Sequence, residues 1–130
     1  MEKQILLPNR TPKYFISKLI NSQLQSKIFH WQVTPNALAM HLVLDSYYNE
    51  IQPLTDSLVE SLQCDGIIKE YTSLSFVDYK NKEQLCEYFR DLLKFVETNR
   101  KIIFSDSSIL NIIDEIKTLI RTTIYKLENL

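Results

Sequence analysis

Glycine is almost absent from this chain of 130 residues, which contains only Gly66. Phosphate-binding loops and dinucleotide-binding folds need several glycines where the backbone approaches the ligand closely. Folds with many tight hairpins also depend on glycine at positions of positive φ. The composition therefore excludes kinase, P-loop and Rossmann chemistry, and it disfavours a β-rich fold.

Long apolar runs and an excess of charge of one sign are also missing. No apolar run approaches the ~20 residues of a membrane helix, and the N-terminus lacks the apolar region of a signal peptide. A net charge of -1 gives no general attraction to DNA or to membranes. Cys64 and Cys86 are not in a CxxC arrangement, so we expect free thiols, a cytoplasmic location and no membrane or DNA binding.

Apolar residues recur at the helical period in four segments that begin at capping residues. Thr11-Pro12 and Thr34-Pro35 each place a capping residue before a proline at the first helical position, and Asp106 can cap the last helix. Asp65-Gly66 is expected to end the second helix. The pattern predicts one domain over residues 1–130, an all-α four-helix bundle. Its helices are expected over about 12–32, 35–63, 81–103 and 106–129, after an N-terminal segment over 1–11.

The second predicted helix carries two parallel stripes of residues. The apolar stripe, expected to face the core, contains Met40, Leu44, Tyr47, Ile51, Leu54, Leu58 and Leu62. The other stripe begins one residue later and is therefore rotated by about 100° around the helix axis. It contains His41, Asp45, Tyr48, Gln52, Asp56 and Glu60. A charged stripe is usually a solvated face, but a histidine among large polar groups suits a contact surface.

The spacing within this second stripe is wrong for a metal site in one chain. His41 and Asp45 lie one turn apart, as do Asp56 and Glu60, so each pair can share a metal ion. However, Asp45 and Asp56 are eleven residues apart, which is about 16 Å along a helix. One ion cannot bridge both pairs within one helix.

A second copy of the helix, running antiparallel, removes this difficulty. The midpoint of His41 and Glu60 lies between residues 50 and 51, and the midpoint of Asp45 and Asp56 lies at the same place, between Glu50 and Ile51. A two-fold axis there creates two identical sites in a homodimer, and His30, across the short turn, can add an imidazole. Two imidazoles and three carboxylates suit iron or manganese, with zinc as an alternative. The competing interpretation is that the histidines are hydrogen-bonded packing residues and the carboxylates are solvated.

At these residues the sequence resembles the Dps proteins, the miniferritins of the ferritin-like superfamily. Their pattern is HW near the end of the first helix, then H-x3-[DE] and D-x3-E along the second. The corresponding residues here are His30-Trp31, His41-x3-Asp45 and Asp56-x3-Glu60. The resemblance covers residues 12–63, is consistent with the C-terminal helix, and extends to small, largely phage-encoded relatives. No glutamate is followed by histidine three residues later, unlike the paired ExxH motifs of other di-iron bundles.

The resemblance implies a ferritin-like bundle with dinuclear-type ferroxidase sites between subunits. The implied catalytic and metal-binding residues are His30, His41 and Asp45 of one subunit and Asp56 and Glu60 of the other. Trp31, beside the site, is implied as an electron donor, with core packing as the alternative. Family members oxidise Fe(II) with peroxide or oxygen, which protects against iron and peroxide damage, and they store iron in a hollow dodecamer. For this chain, both the dimer and the dodecamer stay open.

Departures from the family pattern keep a second function open. The turn from His30 to His41 is one residue shorter than in the family and lacks its glycine. Pro53 is expected to kink the second helix, because a proline inside a helix costs about 3 kcal/mol of stability. The chain is also short, and the connection after that helix, the longest in the chain, is expected to lack the extra helix of the family. The alternative function is a catalytically silent structural or interaction protein, phage-related, that retains the dimer. It would act in a host cytoplasm or in a virion.

Overall fold

Four long helices account for most of the chain, as predicted. The computed structural model describes residues 8–33, 37–66 and 68–130, and no strand occurs in these ranges. A short 3-10 turn at Pro8–Arg10 precedes α1 (Pro12–Gln32), α2 (Leu38–Gln63), α3 (Lys82–Ile103) and α4 (Ser107–Glu128). The prediction of an all-α bundle is confirmed. Within the described ranges, none of the helices is long and apolar enough to cross a membrane.

Local capping explains three of the four helix starts. The Thr11 hydroxyl accepts a hydrogen bond from the Tyr14 N–H at 3.3 Å, and the Asn81 side chain accepts one from the Gln84 N–H at 2.8 Å. The Asp106 carboxylate accepts from two backbone N–H groups at the start of α4. The hydrogen bond from the Ser108 hydroxyl, followed by these two backbone hydrogen bonds, lowers the pKa of Asp106.

The start of α2 differs from the prediction. The predicted cap at Thr34-Pro35 lies outside the described residues, and the helix begins at Leu38 rather than at residue 35. Ala37 is not helical, and its carbonyl accepts the first helical hydrogen bond, from the His41 N–H, at 2.9 Å. At the other end, Gly66 adopts a φ of +67° in the turn that follows α2. That conformation favours glycine, so the predicted stop at this position is confirmed.

The buried face of α1 combines apolar and polar side chains. Phe15 and Leu19 are buried, whereas Leu24 and Trp31, further along the helix, are 45% and 69% exposed. Serines take their place, because the Ser22 and Ser26 hydroxyls donate to carbonyls of their own helix and can therefore be buried. On α2, by contrast, the predicted apolar stripe is buried, apart from the partly buried Leu54.

The helices form a bundle with one long crossover. α2 packs against α1 and α4, and α3 packs against α4. α1 meets α3 through aromatic rings, with ring centroids 5.6 Å apart for Phe15–Phe95 and 5.5 Å apart for Phe29–Tyr88. These two pairs show that α1 and α3 run in opposite directions. Since α1 and α2 are joined by a short turn, α2 and α3 run in the same direction, and the connection between them must travel the length of the bundle.

That connection is an extended segment held by polar side chains of α1. Ser17, Asn21, Gln25 and Gln32, spaced along one side of α1, all hydrogen-bond to its backbone. The buried Gln25 amide donates to the Val77 carbonyl at 2.7 Å and accepts from the Val77 N–H at 2.8 Å. An extended backbone outside a sheet needs such partners. No helix forms among residues 68–81, so this part of the connection lacks an extra helix, as expected.

Pro53 does not interrupt α2, which continues from Leu38 to Gln63. The Pro53 side chain is exposed, so its ring occupies no space in the core. Proline has no N–H, so the Asn49 carbonyl lacks its usual helical donor. The predicted kink stays a prediction.

A buried hydrogen bond between α1 and α2 gives a test of this packing. The Ser22 hydroxyl donates to the Leu19 carbonyl, so the Tyr47 hydroxyl must donate to Ser22 Oγ, at 2.7 Å. We expect Tyr47→Phe to lower the free energy of unfolding by about 1 kcal/mol, the usual loss for one buried hydrogen bond. Denaturant titration measures this. Tyr125→Phe is the matched control, because Tyr125 is 68% exposed on α4, and an equal loss in both variants would contradict the account.

Candidate metal centre

The two histidines of the chain lie against each other where α1 ends and α2 begins. Their rings are stacked, with centroids 3.5 Å apart and an interplanar angle of 26°. His30 Nδ1 lies 2.9 Å from the His41 carbonyl oxygen, and His41 Nδ1 lies 3.0 Å from the His30 carbonyl oxygen. The prediction that these residues meet across the short turn is therefore confirmed.

These reciprocal hydrogen bonds determine which nitrogen of each ring can bind a metal. A carbonyl oxygen only accepts, so each Nδ1 must carry the hydrogen. Each Nε2 of the neutral rings then carries the lone pair. No hydrogen bond from the described residues uses either Nε2 atom, and both side chains are partly exposed. Histidines that bind a metal through one ring nitrogen usually donate the N–H of the other to an acceptor such as a backbone carbonyl.

Asp45 lies one turn beyond His41 on the same flank of α2, but its carboxylate already has partners. The Lys27 ammonium is 3.2 Å from Asp45 Oδ1, and the Asn49 side-chain amide is 3.4 Å from Oδ2. The same ammonium lies 4.8 Å from the centroid of the Tyr48 ring. Sequence reasoning missed Lys27. Its position three residues before His30, and therefore on the same flank of α1, was the available signal.

The remaining predicted ligands, Asp56 and Glu60, are exposed near the far end of α2. Neither forms an ion pair with a described residue. They are not brought to the histidines within one chain. Among the described residues, no group of three or more histidine, cysteine, aspartate or glutamate side chains could hold a metal ion. Within one chain, the predicted ligands therefore lie in two separate places.

Apolar side chains are exposed beside the histidine pair. Trp31 follows His30 and is 69% exposed, so the core-packing alternative for this residue is wrong for the single chain. The other exposed large apolar side chains on α1 and α2 are Ile20, Leu24, Leu38 and Leu42. Further along, a groove lined by Ile20, Gln23, Gln52, Pro53, Thr55 and Asp56 separates the two helices. The flank that carries the predicted ligands is therefore also unusually apolar.

A large groove lies away from the histidines. It has a volume of about 720 Å³ and runs between α2 and α4, where it is lined by Pro53, Leu54, Leu119 and surrounding polar residues. Its lining contains no histidine or cysteine, but it includes the carboxylates of Glu50, Asp114 and Glu115. Like the other acids among the described residues, these do not form a group of three that could hold a metal ion.

Residues 30–127 match a family described as a family of unknown function (DUF5856). The matched stretch begins at His30 and contains every predicted metal-binding residue. No curated protein and no solved structure matches the chain significantly. Because the match covers more than half of the chain, the protein belongs to this family of unknown function.

Proposed function

We propose that this protein is a Dps-like ferroxidase that oxidises Fe(II) with peroxide or oxygen at sites shared between two subunits. Two ferrous ions each give up one electron, and one peroxide with two protons takes up both electrons to form two waters. Consuming iron and peroxide together protects against the damage that the pair causes. Storage of the ferric product in a closed shell is an extension of this proposal.

The observation that carries the proposal is the reciprocal pairing of His30 and His41. Two imidazoles with both Nδ1–H groups held by carbonyls have both Nε2 atoms available as ligands. The arrangement also fixes the tautomer of both histidines. Asp45 follows one turn after His41 on α2, although the three side chains do not form one ligand group within the described residues of a single chain.

The missing carboxylates support a shared site. Asp56 and Glu60 are exposed and lack ion-pair partners among the described residues. An antiparallel copy of α2 centred between Glu50 and Ile51 would bring them to the histidines of the other chain. The exposed apolar residues of α1 and α2 lie on the flank that such a dimer would cover, and burying them favours association.

The donor set and the topology both suit ferrous iron as the substrate. Two imidazoles and three carboxylates form a hard, mostly oxygen ligand set, and carboxylates stabilise the ferric product. The protein's part is to hold the ion, to orient the imidazoles and to leave a position open for the oxidant. A four-helix bundle with one long crossover is also the topology of ferritin-like folds.

One observation favours a second candidate, a structural dimer without catalysis. The His41 Nδ1–H is bonded to the His30 carbonyl, one of the last carbonyls of α1, so the imidazole caps that helix even without metal. Lys27 likewise neutralises Asp45. In this case the histidines would hold the α1–α2 turn together, and the protein would bind no iron above background.

A variant that lacks one predicted metal-binding side chain distinguishes the ferroxidase from the structural dimer. We expect Asp56→Ala to weaken Fe(II) binding by at least about tenfold, because even groups that only orient a metal ligand are worth 10–100-fold. Anaerobic isothermal titration with ferrous ion measures the affinity. Asp91→Ala is the matched control, since Asp91 is an exposed acid on α3, remote from α2 in sequence. Equal affinity in the wild type and both variants would contradict the proposed site.

Mixing two inactive variants tests whether the site is shared. A heterodimer of Asp45→Ala and Asp56→Ala chains has one site with both carboxylates and one site with neither. After random exchange of equal amounts, half of the dimers are mixed, so we expect about a quarter of wild-type binding capacity. Absence of recovery after confirmed subunit exchange would contradict the intersubunit site.

A further inference from the structure

We infer that the groove between α2 and α4 is a surface on which a second copy of this chain docks, with the two α4 helices antiparallel and centred on Thr118. The groove lies where α2 meets α4, whereas the histidines lie where α2 meets α1. The inference therefore does not depend on the proposed function. It gives the protein a second two-fold contact, separate from the one that would complete the metal sites.

The groove continues along the exposed side of α4. It has a volume of about 720 Å³, and a smaller pocket of about 240 Å³ follows it along the helix. Thr118 and Thr122 line both, Glu115 lines the groove, and Arg121 lines the smaller pocket. The groove itself is mostly apolar, with Leu119 in its lining. A docked helix would remove this apolar surface from water, which favours association.

Two opposite charges on this face of α4 have no partner in their own chain. Glu115 and Arg121 are exposed, and neither forms an ion pair with a described residue. They are six residues apart, and helical ion pairs form between residues three or four apart. The neighbouring Asp114, by contrast, is already paired with Arg100 at 2.7 Å. Glu115 and Arg121 are therefore the charges that remain for a partner.

A two-fold axis at Thr118 pairs these charges twice. Glu115 and Arg121 lie three residues before and after Thr118, so each Glu115 faces Arg121 of the partner subunit. At 100° per residue, both lie about 60° from Thr118 around the helix, so the three residues belong to one face. Asp114 and Thr122 lie four residues before and after the axis, and the threonine hydroxyl can donate to the carboxylate. Neither pair brings like charges together.

The charges and the apolar lining contribute differently to this contact. One exposed ion pair adds little affinity, so burial of the groove supplies most of it. The charge pattern fixes the register and the direction of the second helix, because like charges facing each other oppose association. A subunit with two different two-fold surfaces can join dimers into tetramers or larger assemblies.

Charge reversal across the groove tests the inference, with the mass from sedimentation equilibrium as the readout. Glu115→Arg places two arginines against each other at both ends of the contact, and Arg121→Glu does the same with two glutamates. We expect each variant alone to raise the dissociation constant of this contact at least about tenfold. A mixture of the two variants pairs opposite charges at both ends of a mixed dimer, so it should recover the wild-type assembly.

Two further variants complete the experiment. The double variant Glu115→Arg/Arg121→Glu restores opposite charges across the contact and should assemble like the wild type. Glu87→Arg is the matched control, because Glu87 is an exposed acid of α3 that lines neither the groove nor the smaller pocket. It should also keep the wild-type mass. Circular dichroism confirms that each variant is folded.

The outcomes distinguish this contact from the proposed function. If both hold, the wild type is larger than a dimer and the single variants are dimers that bind Fe(II). If only this contact exists, the wild type is a dimer and the single variants are monomers. A monomeric wild type, single variants with the wild-type mass, or a mixture that assembles no better than its two components would overturn the inference.

Discussion

The histidine pair at the α1–α2 turn is the constraint on which the candidate site depends. Each imidazole donates through Nδ1 to the backbone carbonyl of the other residue, so the two rings and the two helix ends are fixed together. The His30 carbonyl belongs to the last turn of α1, where carbonyls lack helical partners. One set of hydrogen bonds therefore closes a helix end, sets the register of α1 against α2 and leaves both Nε2 atoms available.

The register of α1 against α2 determines which other side chains of the two helices meet. With His30 against His41, Lys27 meets Asp45 one turn away, and the buried Ser22–Tyr47 hydrogen bond forms further along. The carboxylates at the far end of α2 are then too distant to reach the imidazoles of their own chain. Under the proposed function, a complete ligand set requires a second chain, and burial of the exposed apolar residues around the pair would favour its binding.

Periodicity and capping predicted most of the fold, and spacing predicted the meeting of the histidines. The start of α2 was mispredicted, because Thr34-Pro35 has the form of a capped start although the helical hydrogen bonds begin at Ala37. The buried serines of α1 bond to their own helix and carry no apolar signal, so apolar periodicity does not identify them as core residues. The Lys27–Asp45 ion pair depends on the register of two helices, which sequence spacing does not fix. The dimer stays a prediction.

The most direct test is the reaction of ferrous protein with peroxide. Purified protein is loaded anaerobically with ferrous ion, excess iron is removed, and peroxide is added while the ultraviolet absorbance of ferric species and a hydroxyl-radical probe are followed. The account predicts saturable loading, rapid ferric absorbance and little probe oxidation compared with the same iron in buffer. Loading no greater than in buffer, or probe oxidation equal to that of free iron, would contradict it.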